Sequence, residues 1–157
     1  QILKSPLMME LKQIIDHSGI SCSGIIVELT ESGYLEGTPA VRSVWNDMKQ
    51  LRIQIALDDF GTGYSNLMNI SNLEPDIVKL DRGFTLKALS RSYEYQLMQY
   101  VIEMVHKLNQ YVCVEGVETK EDLEKIKALG PDLIQGYYYS KPCSRDEFLK
   151  KFFDYSE

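Results

Sequence analysis

Short apolar runs alternate with longer amphipathic stretches along this chain, and this alternation defines its predicted elements. The apolar runs are rich in β-branched and aromatic residues and occupy residues 25–28, 53–58, 76–80, 111–115 and 132–137. Runs of this length and composition predict β-strands. Because each run is followed by a helical or loop stretch, the pattern indicates βα units and a parallel sheet.

Helix-boundary signals mark the stretches between these runs. Capping residues and prolines stand at the expected starts, and glycine or asparagine stands near the expected ends. The starts are Ser5-Pro6, Thr38-Pro39, Ser90 or Ser92, Thr119 with Asp122, and Ser144 with Glu147, and the ends lie near Gly19, Asn109 and Gly130. The last two starts have the spacing of a capping box. The sequence therefore predicts five helices.

Side-chain alternation within each strand separates a large apolar face from a smaller one. In the second run, Ile53, Ile55 and Leu57 share one face, which suits packing against helices. Ala56 and Asp58 lie on the other face, which suits the inside of a barrel. By the same count, every strand ends with a polar group on the smaller face, namely Glu28, Asp58, Lys79, Glu115 and Gln135. Because active sites of (β/α) barrels lie at the carboxyl ends of their strands, this convergence predicts a functional site.

The second run ends in two adjacent carboxylates, Asp58 and Asp59, and a loop with Gly61 and Gly63 follows. Two neighbouring carboxylates at the end of a buried strand are costly unless a positive group neutralises them. A hard divalent cation such as Mg²⁺ or Mn²⁺ prefers such oxygen ligands. The alternative is a helix cap with a solvated neighbour, but Glu28 in the same architecture favours metal binding.

Lys79 ends the third strand, and an inward lysine at that place has three possible roles. It can pair with carboxylates, form a Schiff base, or place a cation beside a phosphate or an attacking water. The surrounding acids favour the third role. Glu31 and Glu118 are also explained as acids of a loop or a helix start, and Gln135 alone does not define a site.

The composition is acidic and otherwise that of a globular domain with a core. The 157-residue chain has a formal net charge of −6, with 44% hydrophobic and 25% charged residues. An acidic surface does not attract DNA by charge, and a phosphate ligand would need a metal to offset the acids. We expect no membrane segment, because no stretch is long enough to span a bilayer. The three cysteines have no paired spacing, which fits a reducing cytoplasm.

Five segments carry the polar groups at the strand ends. They are Glu28-Leu29-Thr30-Glu31-Ser32, Asp58-Asp59-Phe60-Gly61-Thr62-Gly63-Tyr64-Ser65, Lys79-Leu80-Asp81-Arg82, Glu115-Gly116-Val117-Glu118-Thr119 and Gln135-Gly136-Tyr137. In this order and spacing they resemble the EAL domain, the cyclic-di-GMP phosphodiesterase family of bacterial signalling proteins. The resemblance extends over essentially the whole chain.

The resemblance implies a TIM-like (β/α) barrel that hydrolyses one phosphodiester bond of cyclic di-GMP with two metal ions, Mg²⁺ or Mn²⁺. The product would be linear pGpG. Two cations can clamp a phosphate, lower the pKa of a bridging water and stabilise the leaving oxygen. The implied metal ligands are Glu28, Asp58, Asp59 and Glu115.

The resemblance also implies roles for the other polar groups. Lys79 resembles the residue near the attacking water, and Glu115 resembles a second-metal ligand or a general base, so these two are the implied catalytic residues. Glu31 resembles the acid that steadies the loop after Asp59. Glu118 and Gln135 resemble supporting residues of the site.

One large departure from the family concerns the start of the domain. The Glu-Ala-Leu segment and the Asn-containing strand after it, which supply metal ligands, have no counterpart in this chain, which starts at Gln1. A closed barrel has eight strands and typically about 250 residues. We therefore expect residues 1–157 to be the C-terminal part of a single EAL domain, an incomplete barrel with about five parallel strands and flanking helices. Alone, it is expected to have a half-built metal site and little turnover.

Partners and location follow from the same resemblance. We expect cyclic di-GMP as ligand, sensory or GGDEF-type domains in the parent protein, and a place in the cytoplasm or at the cytoplasmic face of a membrane-anchored parent. Because an open sheet leaves two unpaired edges, we expect the chain either to associate through them or to be part of a larger molecule. A homodimer is also expected. Two other functions stay open: a degenerate EAL domain that binds cyclic di-GMP or proteins without hydrolysis, and another metal- or lysine-dependent barrel enzyme.

Overall fold

Strands and helices alternate along the chain as the hydrophobic pattern predicts. The structure, a computed structural model, describes residues 7–30, 39–62 and 74–153. The strands in these ranges are β1 (Ile26–Thr30), β2 (Gln54–Phe60), β3 (Ile77–Leu80), β4 (Tyr111–Glu115) and β5 (Leu133–Gln135). The helices are α1 (Leu7–Ser18), α2 (Pro39–Gln50), α3 (Arg82–Ser90), α4 (Ser92–Lys107), α5 (Lys120–Lys127) and α6 (Arg145–Phe152), and a 3₁₀ turn at Cys22–Gly24 precedes β1.

The five strands form one parallel sheet in the order β1-β2-β3-β4-β5. Each strand lies beside its neighbour in the chain, which is the usual result of βα connections. Within the described residues the sheet does not close, because β1 and β5 each pair on one side only. The predicted architecture, an incomplete (β/α) barrel with five parallel strands and flanking helices, is confirmed.

The larger apolar face of the sheet packs against the helices, as predicted. Leu57 and Val78 are fully buried in one cluster with Ile102 of α4. A second cluster joins Ile55 of β2 to Met48 of α2. Because a slip of one residue would turn these side chains to the opposite face, their burial fixes which strand residues point to the smaller face.

Five helices begin near their predicted starts, three of them end near the predicted ends, and both predicted capping boxes form. Thr119 Oγ1 accepts a hydrogen bond from Asp122 N, and Ser144 Oγ accepts one from Glu147 N. None of the helices in the described ranges is both long and apolar enough to cross a membrane.

The helix α3 is not among the predicted helices. Its N-cap is Asp81, whose carboxylate accepts a hydrogen bond from Gly83 N at 2.7 Å. The helix has 9 residues, and it contains Gly83 and Thr85, which have low helix propensity. The capping aspartate was the available signal for this helix.

Two aspartates tie neighbouring strands together near their amino ends. Asp76 Oδ2 accepts a hydrogen bond from Ile55 N of β2 at 2.8 Å, and Asp132 Oδ2 accepts one from Val112 N of β4 at 2.8 Å. Each aspartate follows a proline and precedes the next strand. This repeated Pro-Asp device satisfies a strand amide that would otherwise lack a partner.

We expect the Asp132→Ala substitution to destabilise the fold. It would leave the Val112 amide without its acceptor, which costs about 1–3 kcal/mol. Burial alone would raise the pKa of Asp132, but the Val112 amide and His106, whose Nε2 lies 2.9 Å from Oδ2, outweigh it and lower the pKa. The unfolded carboxyl titrates near 3.9. The stabilisation is therefore complete above that pH and is lost as the pH falls through the lower pKa of the folded state.

Urea unfolding near pH 7 and near pH 3 measures this contribution. The control is Asp146→Ala on α6, whose carboxylate is 92% exposed and whose loss should change stability by less than about 0.5 kcal/mol. The difference between the two variants should be clear at neutral pH and shrink in acid. Equal stability of the two variants at neutral pH would contradict the assigned role of Asp132.

Candidate active site

The smaller face of the sheet has a buried floor beneath the polar strand ends. Ala56, Ile77 and Cys113 form one cluster on this face, with exposures of 1%, 4% and 6%. Each stands two residues before a polar residue at the end of its strand. Because side chains two residues apart share a face of a strand, those polar groups lie directly above the floor.

Lys79 is the centre of three ion pairs above this floor. Its Nζ lies 2.8 Å from Glu28 Oε1, 3.0 Å from Asp58 Oδ1 and 2.8 Å from Glu115 Oε1. The three acids come from β1, β2 and β4, and the lysine comes from β3 between them. We call these four residues the Lys79 cluster. Three carboxylates share one ammonium in it, so the cluster is short of positive charge.

The pKa of Lys79 is raised, although burial alone would lower it. The contacts with Glu115, Glu28 and Asp58 stabilise the charged form more than burial disfavours it. A lysine that forms a Schiff base needs the opposite, a depressed pKa and a free amine. The environment of Lys79 therefore disfavours the interpretation of this residue as a covalent nucleophile.

Asp58 Oδ1 is a poorly satisfied acceptor within the cluster. It is buried and accepts no well-aligned hydrogen bond from the described residues, although it lies 3.0 Å from Lys79 Nζ. A buried carboxylate oxygen in this state is costly, and it is the ligand type that Mg²⁺ or Mn²⁺ prefers. The donor chemistry therefore fits a divalent cation. Within the described ranges the three acids of the cluster are gathered around the ammonium of Lys79, and as they stand no three acidic, histidine or cysteine side chains are arranged around a cation position.

A register shift in β2 sets Asp59 apart from Asp58. The pairing of β2 with β3 shifts between Leu57 and Phe60, and Asp59 has a left-handed backbone with φ of 61°. Such bulges re-aim side chains and are common beside active sites. Burial, and then the charges of Asp58 and Asp81, raise the pKa of Asp59. Of the acids in the described part of the chain, Asp59 lies near the Lys79 cluster but makes no ion pair with its lysine.

Arg82 and Glu118 form an ion pair at the rim of the site. Arg82 Nη2 donates to Glu118 Oε1 at 2.7 Å, and the two side chains are 58% and 41% exposed. The β4–α5 loop packs closely here, since Gly116 has a φ of 81° and a side chain at that position would collide with Arg82. Strand alternation assigned no role to Arg82, because the residue lies beyond the end of β3. Its signal was its place in the Lys79-Leu80-Asp81-Arg82 segment.

A cavity of about 1210 Å³ opens beside β5. Its wall includes Arg82, together with Glu115 and Gln135, which are register partners on β4 and β5. Tyr137 and Tyr139 also line it and are 55% and 46% exposed. Gln135 therefore lies beside the Lys79 cluster on the cavity wall. Of the other predicted site residues, Glu31 lies outside the described residues.

The family of the chain follows from a match that extends over most of its length. A family model for the EAL domain matches residues 1–142. The chain belongs to the EAL domain family. The cyclic di-GMP phosphodiesterase NbdA of Pseudomonas aeruginosa is 28% identical to it over 152 residues, which are 95% of this chain and 19% of NbdA.

Solved EAL structures are similar to this chain in three dimensions. The manganese and cyclic di-GMP complex of Klebsiella pneumoniae BlrP1 matches it with a TM-score of 0.84 at 26% identity, over 90% of this chain and 36% of that chain. The EAL domain of Mycobacterium smegmatis DcpA matches with a TM-score of 0.86 at 27% identity, over 96% of this chain and 67% of that chain. The chain thus spans about a fifth of NbdA and about two thirds of the DcpA structure.

We expect Cys113 in the floor of the site to resist alkylation. Burial, and then the charge of Glu115, raise the pKa of its thiol to about 11. The thiolate is the reactive form, so only about one molecule in a thousand would carry it near pH 8. Cys143 is exposed and serves as the internal control.

Iodoacetamide labelling followed by mass spectrometry measures both thiols in one sample. Cys143 should react quickly near pH 8 and Cys113 slowly, with labelling of Cys113 rising as the pH approaches its pKa. Equal rates for the two thiols near pH 8 would mean that the floor is open to solvent.

Proposed function

We propose that this chain is the C-terminal part of a single EAL domain, and that the domain hydrolyses one phosphodiester bond of cyclic di-GMP to give linear pGpG. The observation that carries the proposal is the convergence of Glu28, Asp58 and Glu115 on Lys79 at the carboxyl ends of parallel strands. NbdA is named a cyclic di-GMP phosphodiesterase, and BlrP1 was solved with manganese and cyclic di-GMP. The chain covers about two thirds of the DcpA EAL structure, which supports the proposal that it is part of a domain.

In this proposal Glu28, Asp58, Asp59 and Glu115 hold the metal ions, Mg²⁺ or Mn²⁺. Their carboxylates are hard oxygen donors, and the buried, poorly satisfied Asp58 Oδ1 fits a cation. When bound, two such ions would supply positive charge to the phosphate and lower the pKa of a bound water. The remaining ligands would come from the part of the domain that holds the Glu-Ala-Leu segment.

The other residues of the proposed site position the ligand and the catalytic groups. Lys79 places its ammonium near the attacking water, and Glu115 serves as a second-metal ligand or a general base. Glu31 steadies the loop after Asp59. Glu118 holds Arg82 at the rim through their 2.7 Å contact, and Gln135 lies next to Glu115 in register.

The proposed partners extend beyond the ligand cyclic di-GMP. They are sensory or GGDEF-type domains in the same protein and a second copy in a homodimer, with the protein acting in the cytoplasm. Within the described residues β1 and β5 each have an unpaired edge, and such an edge is covered either by the rest of the domain or by association with another chain.

In the protein that carries the complete domain, Asp58→Asn should lower the rate of pGpG formation by on the order of 100-fold or more. The change keeps the shape of the side chain but removes a charged oxygen ligand. The assay is chromatographic measurement of pGpG formed from cyclic di-GMP in the presence of Mn²⁺ or Mg²⁺.

The matched control is Asp47→Asn on the exposed face of α2, which should keep full activity. If the wild-type protein binds cyclic di-GMP with either metal but forms no pGpG, the proposed reaction is wrong and the domain is a binding module. If Asp58→Asn and Asp47→Asn are equally active, the assigned site is wrong.

The 157-residue chain alone should turn over cyclic di-GMP at least about 100-fold more slowly than the complete domain, because metal ligands of the Glu-Ala-Leu part are missing. The two proteins are compared at equal concentration in the same pGpG assay. A rate for the short chain near that of the complete domain would refute the proposal that its metal site is half built.

A further inference from the structure

Carboxylates surround the ammonium of Lys79 in this structure. An ammonium group has three N–H donors and no acceptor. Three carboxylate oxygens, of Glu28, Asp58 and Glu115, lie within 3.0 Å of Nζ, and the contact with Asp58 is the poorly aligned one. The lysine is 5% exposed, so the ammonium is held among carboxylates, away from solvent.

This arrangement conflicts with the role proposed for Lys79 in catalysis. To act beside an attacking water, the ammonium needs at least one free donor. To bind a divalent cation at the place that Nζ now occupies, Glu28, Asp58 and Glu115 must turn the same oxygens from the ammonium to the cation. Both demands are met together if the carboxylates exchange the lysine for the cation.

We propose that Lys79 is the internal counter-ion of the metal-free site, and that cation binding by Glu28, Asp58 and Glu115 releases its ammonium toward the bound ligand. The inference rests on the proposed metal ligation. Lys79 is thus a positioning residue before the cation binds and becomes available for catalysis afterwards, so an unloaded site lacks both the metal and the free lysine.

The position of Lys79 in the sheet supports this assignment. The residue lies on β3, and its three partners lie on β1, β2 and β4, so one ammonium holds four strand ends. Without a central cation, three carboxylates this close would repel one another. The ammonium keeps them gathered, as a metal would.

The incomplete fit of the ammonium shows why a divalent cation can replace it. Asp58 Oδ1 is buried and lacks a well-aligned hydrogen bond even at 3.0 Å from Nζ. Asp59 lies close by, and its charge is not offset by an ion pair with Lys79. A doubly charged ion with flexible oxygen coordination would satisfy both deficits better than a single ammonium.

The first test follows Lys79 in the wild-type protein that carries the complete domain, without any nucleotide. A brief pulse of an acetylating reagent, with EDTA or with millimolar Mn²⁺, is read by mass spectrometry. Lys79 should be modified roughly tenfold or more faster with Mn²⁺, because its burial in the ion pairs is lifted. Lys49 is the internal control. It lies outside the Lys79 cluster, its Nζ is 3.2 Å from Asp76 Oδ1, and its acetylation rate should not change. Equal Lys79 rates in the two conditions would overturn the proposal.

The second test compares Lys79→Met with Lys49→Met by thermal unfolding. In EDTA, Lys79→Met should melt at least about 5 °C below wild type, because the carboxylates lose their shared cation. Mn²⁺ should raise its melting temperature more than it raises that of wild type, since no ammonium competes. Lys49→Met should show the same Mn²⁺ shift as wild type. A Mn²⁺ shift of Lys79→Met equal to or smaller than that of wild type, or no shift in any protein, would overturn the proposal.

The outcomes separate this inference from the proposed function. If Lys79→Met does not fold, acetylation of the wild-type protein still decides the matter. If the complete domain forms no pGpG while Mn²⁺ still releases Lys79, the function is wrong and the counter-ion role stands. If pGpG forms while Lys79 stays protected with Mn²⁺, the counter-ion role is wrong and the function stands.

Discussion

The contact between one ammonium and three carboxylates is the interaction around which this part of the domain is organised. Lys79 Nζ lies within 3.0 Å of Glu28, Asp58 and Glu115. Acids gathered this closely would repel one another and resist burial without a cation. The sheet can bring its strand ends together because its central strand supplies one.

The rest of the fold holds these groups in place from below and from the side. Ala56, Ile77 and Cys113 form a dry floor under the cluster, so its charges act in a medium of lower dielectric constant than water. At the amino ends, Asp76 and Asp132 fix neighbouring strands through their amides. The acids that bind strand amides therefore lie at the amino end of the sheet, and the acids of the Lys79 cluster lie at the carboxyl end, where (β/α) barrels have their active sites.

Much of this arrangement could be predicted from the sequence, because strand alternation is a strict geometric rule. It assigned Asp58, Lys79 and Glu115 to one face correctly. It could not predict the bulge at Asp59, because a register shift depends on the partner strand rather than on the strand itself.

Two other features could not be predicted from the sequence, because they also depend on contacts between distant parts of the chain. The helix α3 has weak propensity and is set by its Asp81 cap and by packing on the sheet. The contact of Arg82 with Glu118 joins residues 36 positions apart, so it depends on how the loops fold together.

The central claim is that the Lys79 cluster is a cation site whose carboxylates are held together by its own lysine until the cation binds. A crystal structure of the protein grown with Mn²⁺, with anomalous scattering to locate the metal, tests it most directly. The account predicts an anomalous peak at coordination distance from Asp58, with Lys79 Nζ moved away from the carboxylates. A metal peak elsewhere, with Lys79 still in contact with all three acids, would contradict it.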